Sequence, residues 1–195
     1  MNLLIGLSRV IDGVTERVGR AARWLILLTA LISAGNATAR YAFNLSSNAW
    51  LEVQWYLFAA VFLLCAGYAL KHNQHVRIDI VSSRFSRRTQ AWIEIFGTAL
   101  FLLPTAALIL ALSWPVFVDS WHSGEVSSNA NGLILWPARL LVPAGFGLLV
   151  LQGVSELIKR IGFLRGLLPD PAQAFDHGGA ERELAEAILK ARSPD

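Results

Sequence analysis

Four histidines, His72, His75, His122 and His177, are the residues in this chain whose chemistry would suit haem or metal ligation. A haem held in a helical membrane bundle needs imidazoles inside the spans, and all four of these fall in connectors or in the tail. That placement weighs against an electron-transfer anchor. His72 and His75, with Asp79, make a sparse ligand set in a basic connector, and a solvated loop facing lipid headgroups accounts for them more simply. The single cysteine, Cys65, sits inside an apolar run, so an internal disulfide and Cys-x-x-Cys chemistry are both excluded. Neither a Ser/His/Asp arrangement, a glycine-rich phosphate loop nor an aspartate-rich metal motif is present. No catalytic, cofactor-binding or metal residue is therefore assigned, and the chain is not expected to be an enzyme.

The acids Glu52, Glu94, Asp119 and Glu156 all fall at the ends of apolar runs, where water is within reach. An ion or proton path through a membrane normally shows ionisable groups well inside a span, and this chain shows none. Asn36, Thr98 and Gln152 are the polar groups furthest inside, and interhelical hydrogen bonding suits them better than substrate contact. One constellation stands apart. Arg40 closes the first apolar run and Glu52 opens the second, so a hairpin brings both to one rim, where Arg139 also falls. A polar cluster of Arg40, Glu52 and Arg139 is the expectation, with independent snorkelling of each side chain as the alternative.

These groups are positioned by a chain of 195 residues that is 54% hydrophobic and 16% charged, too apolar for an ordinary soluble domain. The fold class it implies is an all-α membrane protein with four transmembrane helices. Residues 1–22 place Leu3, Leu4, Leu7, Ile11, Val14 and Val18 at helical spacing with Arg9, Asp12, Glu16, Arg17 and Arg20 opposite, the pattern of an N-terminal interfacial amphipathic helix. A membrane domain over 23–158 follows, with spans at about 23–43, 49–70, 91–118 and 137–158, and then a tail over 159–195. The second span is uncharged from Val53 to Leu70, roughly 27 Å of helix. Pro104 is expected to kink the third, and Pro137 to start the fourth. Between them Asp119 to Trp136 reads as a polar loop, while Ile78 to Phe85 reads as a short amphipathic turn.

Charge distribution sets the orientation. Of the 17 Lys and Arg residues, four lie in the N-terminal segment, five in the connector after the second span and six beyond the fourth, which leaves Arg40 and Arg139 on the other side. Both termini are then cytoplasmic. The formal net charge of +3 is concentrated beside apolar runs, so the lipid bilayer rather than nucleic acid is the partner it implies.

The second span with its connector (Trp50-x-Glu52 and His75-Val76-Arg77-Ile78-Asp79) and the Trp136-Pro137…Pro143 opening of the fourth span resemble the small membrane subunit of tripartite ATP-independent periplasmic (TRAP) transporters, the DctQ-like family. The resemblance extends over roughly residues 20–165. It departs from many members in one respect, since Glu52 is followed by Val53 and Gln54 rather than by a second acid. The resemblance implies a bacterial inner-membrane scaffold subunit without a cofactor of its own. Its partners would be a large DctM-like membrane subunit, carrying the sodium coupling ion and the solute, and a periplasmic solute-binding protein. The cargo would be an organic acid or related solute. The loop residues Glu125, Ser127, Ser128 and Asn129 are the expected contact with the binding protein. A membrane enzyme and a small stand-alone transporter are the competing readings.

Overall fold

The computed structural model describes residues 2–44, 47–72 and 85–169. Among these residues five α-helices run in order: α1 (Asn2–Phe43), α2 (Asn48–Lys71), α3 (Arg87–Gly97), α4 (Leu103–Ser123) and α5 (Trp136–Leu164). A π-helical turn, Thr98–Leu102, joins α3 to α4 into one rod. Four stretches are long and apolar enough to cross a membrane: Leu3–Phe43, Asn48–Lys71, Arg87–Ser123 and Trp136–Leu164. The all-α class with four spanning helices is thus the architecture observed. The connector from Asn73 to Arg84, including His75, Arg77, Asp79 and most of the expected amphipathic turn, lies outside the described residues, as do His177 and the tail from Asp170 onward.

α5 is the central element, in contact with α1, α2 and α4. Its closest neighbour is α2, because Gly145 has no side chain to hold the two apart. A Cβ there would stand 2.7 Å from the Leu63 Cβ and 2.8 Å from the Leu63 carbonyl oxygen. Small residues at a crossing let backbones approach, which is how helices associate where lipid is as apolar as their own side chains. Gly153 does the same against Leu102 and Leu103 on the α3–α4 rod. Gly35 and Gly97, by contrast, meet nothing within 4 Å, so close packing does not explain every glycine in the spans.

Pro104 acts through the turn before it. Proline lacks the N–H that would reach back four residues, and its ring crowds that carbonyl. The helix widens to a π turn directly upstream, with the Leu103 N–H donating to the Thr98 carbonyl. The rod then continues through Pro115 to Ser123 and stops at Gly124, which takes a left-handed φ of 60°. The loop is therefore shorter than the sequence suggests, beginning at Gly124 rather than Asp119. α5 starts at Trp136 with Pro137 in its first turn, as its composition predicts.

The N-terminal segment is where the structure departs most from the sequence reading. Residues 2–22 continue without a break into the first span as one 42-residue helix, roughly 63 Å long, about twice the hydrocarbon thickness of a bilayer. Its first half runs along α5 and the end of α2 instead of standing apart as a separate element. Its rotation also differs from the expected one: Leu3 is 83% and Val10 65% exposed, Ser8, Ile11 and Thr15 are buried, and Arg9, Arg17 and Arg20 stay exposed. Of the expected polar side, the acids Asp12 and Glu16 face the bundle and the three arginines do not.

Candidate functional site: polar clusters at the two ends of the bundle

Two clusters of polar side chains stand at opposite ends of the four rods. At the end bearing the 124–135 loop, Glu52 occupies the first turns of α2 and is 3% exposed. Its carboxylate accepts three hydrogen bonds, from the Ser127 hydroxyl at 2.5 Å, the Asn129 side-chain amide at 2.7 Å and the Leu133 backbone N–H at 2.7 Å. All three donors come from the loop. The loop presents them together because it doubles back on itself: Val126 and Ile134 form an isolated antiparallel bridge, Ser127 N–H donates to the Leu133 carbonyl at 2.8 Å, and Leu135 N–H donates to the Glu125 carbonyl at 3.0 Å. The reversal runs through Asn131, at a φ of 58°, and Gly132, where a Cβ would lie 2.6 Å from that of Ser127. The Tyr56 hydroxyl adds a bond to the Ile134 carbonyl at 3.2 Å, and Trp121 stacks edge-on against Trp136 at 4.6 Å where the loop leaves and rejoins the helices.

This arrangement corrects the expected Arg40, Glu52 and Arg139 cluster. Arg139 is at the same end but pairs with Glu125 of the loop, Nη1 to Oε1 at 2.5 Å. Arg40 is exposed and makes no ion pair among the described residues. The reason is rotational. Glu52 shares a face of α2 with Tyr56, Leu63 and Gly67, one to four turns on, and that face meets α5 and the loop, since Leu63 meets Gly145 and Gly67 meets Leu148. Of the four loop residues singled out in the sequence, Ser127 and Asn129 are engaged with Glu52 and Glu125 with Arg139, while Ser128 is exposed.

The second cluster has no counterpart among the sequence expectations. At the opposite, basic end, Asp12 of α1 accepts from the Gln152 side-chain amide at 2.9 Å, the Ser155 hydroxyl at 2.8 Å and the Lys159 ammonium at 3.2 Å. Ser8 and Ser155 share a hydrogen bond at 2.7 Å across the same interface. Glu156 accepts from Gln152 at 3.1 Å and pairs with Lys159, and Arg160 pairs with Glu94 of α3 and lies 3.7 Å from Glu156. One helical turn to the side, Glu16 accepts from Lys71 at 2.7 Å and from His72 at 3.0 Å. Residues from α1, α2, α3 and α5 are thereby tied into one network. Glu156 and Arg160 are 3% and 5% exposed, so the water-accessible placement expected for Glu156 does not hold. Gln152 does make the interhelical hydrogen bond that its depth in the span suggests.

A signal for this network is present in the chain. Gln152, Ser155, Glu156, Lys159 and Arg160 recur at i, i+3, i+4, i+7 and i+8, one face of a helix, and Ser8, Asp12 and Glu16 recur every fourth residue. Chemically the arrangement opposes carboxylates with ammonium and guanidinium groups, and among the described residues no group of three or more His, Cys, Asp or Glu side chains is placed to hold a metal ion. Both clusters fasten parts of the chain to one another.

Residues 29–162 match the family model described as tripartite ATP-independent periplasmic transporters, DctQ component. Comparison with curated proteins and with solved structures gives no match.

Proposed function

The chain belongs to the DctQ family, a component of TRAP transporters, and from that premise we propose that it is the scaffold of its transporter. As a small, multi-pass permease subunit it belongs to a transporter family and not to an enzyme family, and DctQ components work with DctM and DctP components. In the proposed arrangement the chain sits in the bacterial inner membrane with both termini in the cytoplasm. It holds a large DctM-like subunit in register while that subunit moves an organic acid or related solute together with sodium.

One observation carries this reading: the buried charges, Glu52, Glu156 and Arg160, are each committed to partners within the chain. A group that must bind and release a solute or an ion needs free valence at some stage, and groups locked in mutual pairs offer rigidity. The outward surface suits a support role as well. Phe62 and Phe101 are 79% and 72% exposed on the lipid-facing side of the spans. At the loop end, Ser128 and Asn129 are solvent-facing, on a loop held in one shape by Glu52, and we assign to that loop the docking of the periplasmic binding protein.

Reconstitution tests the proposal. Proteoliposomes with all three components should accumulate solute under an inward sodium gradient, and liposomes containing this chain alone should accumulate none. Uptake by the isolated chain would overturn the scaffold reading. Alanine at Ser128 should weaken binding-protein-dependent uptake without dissociating the two membrane subunits, and unchanged uptake would reduce the loop to a connector.

A further inference from the structure

The pairing of Glu52 with the loop leaves Arg40 without an acidic partner among the described residues, and beside it the surface is hollow. A groove of about 590 Å³ lies between the last turns of α1 and the start of α2, lined by Leu31, Ile32, Gly35, Asn36, Ser47 and Trp50 among others. Its floor is open at Gly35, where an added Cβ would meet nothing within 4 Å. Asn36 sits on its wall and makes no side-chain hydrogen bond among the described residues, and Arg40 lies one turn beyond Asn36 on the same face of α1.

We infer that this groove binds one phospholipid of the leaflet at the loop end, with its phosphate on Arg40, Ser47 beside the headgroup, an ester group at Asn36, and an acyl chain laid over Gly35 onto Ile32 and Leu31. The order of chemistry along α1 supports this occupant. From Arg40 to Asn36 is about 6 Å of helix rise, and from Arg40 to Leu31 about 13 Å. A cation, then an amide, then bare hydrocarbon follow one another along α1 in the same sequence as phosphate, glycerol ester and acyl chain along the bilayer normal. The guanidinium meets a phosphodiester with charge-assisted hydrogen bonds. The Asn36 amide would donate to an ester carbonyl, where hydrocarbon alone would leave it unpaired at a cost. Trp50, 52% exposed at the rim, is of the type that lines the headgroup boundary.

The test uses the assembled complex with its large subunit in nanodiscs of native lipid, doped with a phospholipid bearing a photoreactive diazirine on one acyl chain. The expected adducts map to residues 31–36. They fall about tenfold in Arg40→Gln, the factor that one lost charge-assisted contact carries. In Gly35→Leu, which fills the groove, they vanish, and the melting temperature of that complex stays at the wild-type value because the new side chain displaces no atom of the chain. Adducts spread evenly over lipid-facing positions such as Phe62 and Phe101 would overturn the inference. So would a benzophenone amino acid placed at Ile32 that couples to the large subunit and not to lipid, since a protein helix would then be the occupant.

Discussion

The two polar clusters use opposite means to hold a buried carboxylate. At the loop end, Glu52 is surrounded by uncharged donors, a hydroxyl, an amide and a backbone N–H, all from one short segment. At the basic end, Asp12, Glu94 and Glu156 are matched against Lys159 and Arg160, with donors and acceptors drawn from three separate helices. Neutral donors satisfy the lone pairs of one anion and give a loop its shape. Paired ions bind rods that are otherwise held only by apolar contact. The contrast is thus between a local fastening and a global one, and at the basic end removing Arg160 leaves Glu156, 4% exposed, with one cation fewer where little water reaches.

The largest effect should follow from Arg160→Met. Glu94 and Glu156 would both lose a buried guanidinium, and breaking such a pair from one side costs about 3–5 kcal/mol. Thermal unfolding in detergent should register it as a marked drop in melting temperature. The double variant Arg160→Met, Glu94→Leu should recover much of the loss, and a double variant no better than the single one would show that the pair is not coupled.

Glu52→Gln comes next and separates the two mechanisms. A single amide oxygen replaces a carboxylate that serves three donors, at about 2–3 kcal/mol for hydrogen bonds to a charged group. The loss should stay local. Proteolysis within residues 124–135 should accelerate while the helical bundle melts near its original temperature, and uptake that depends on the binding protein should fall. A cooperative loss of the whole bundle would erase the distinction drawn here.

The smallest effect is expected at the edge of the basic cluster. Lys71 and Glu16 pair at 2.7 Å with side chains 16% and 26% exposed, against 6% and 4% for Arg160 and Glu156, so solvent screens this pair more than that one. Lys71→Met should cost about 1 kcal/mol or less in the same melting assay. A penalty equal to that of Arg160→Met would mean that burial does not grade the network.

The apolar runs between Trp24 and Ala39, Val53 and Leu70, Ile95 and Val118, and Leu140 and Ser155 could be read from the chain, because the length of a hydrophobic run is a local property that the bilayer selects directly. Gly124 as the end of a helix is less obvious, since Ser120 and Ser123 look like loop residues yet complete the last turn of α4. The meeting of Arg40 with Glu52 could be proposed but not decided. A hairpin sets two residues level, and whether they face each other depends on the rotation of each rod.

The number of apolar stretches long enough to span was therefore determined by residue order alone. Rotation was decided by the tertiary structure. Residues 2–22 look like a helix with its charged side toward water, and in the folded chain Asp12 of that side turns inward onto Gln152, Ser155 and Lys159 while Arg9, Arg17 and Arg20 stay exposed. An amphipathic pattern states only that two faces differ. Which of them is buried follows from what surrounds the bundle, and a chain whose neighbours are lipid and other apolar helices finds its hydrogen-bond partners only inside itself.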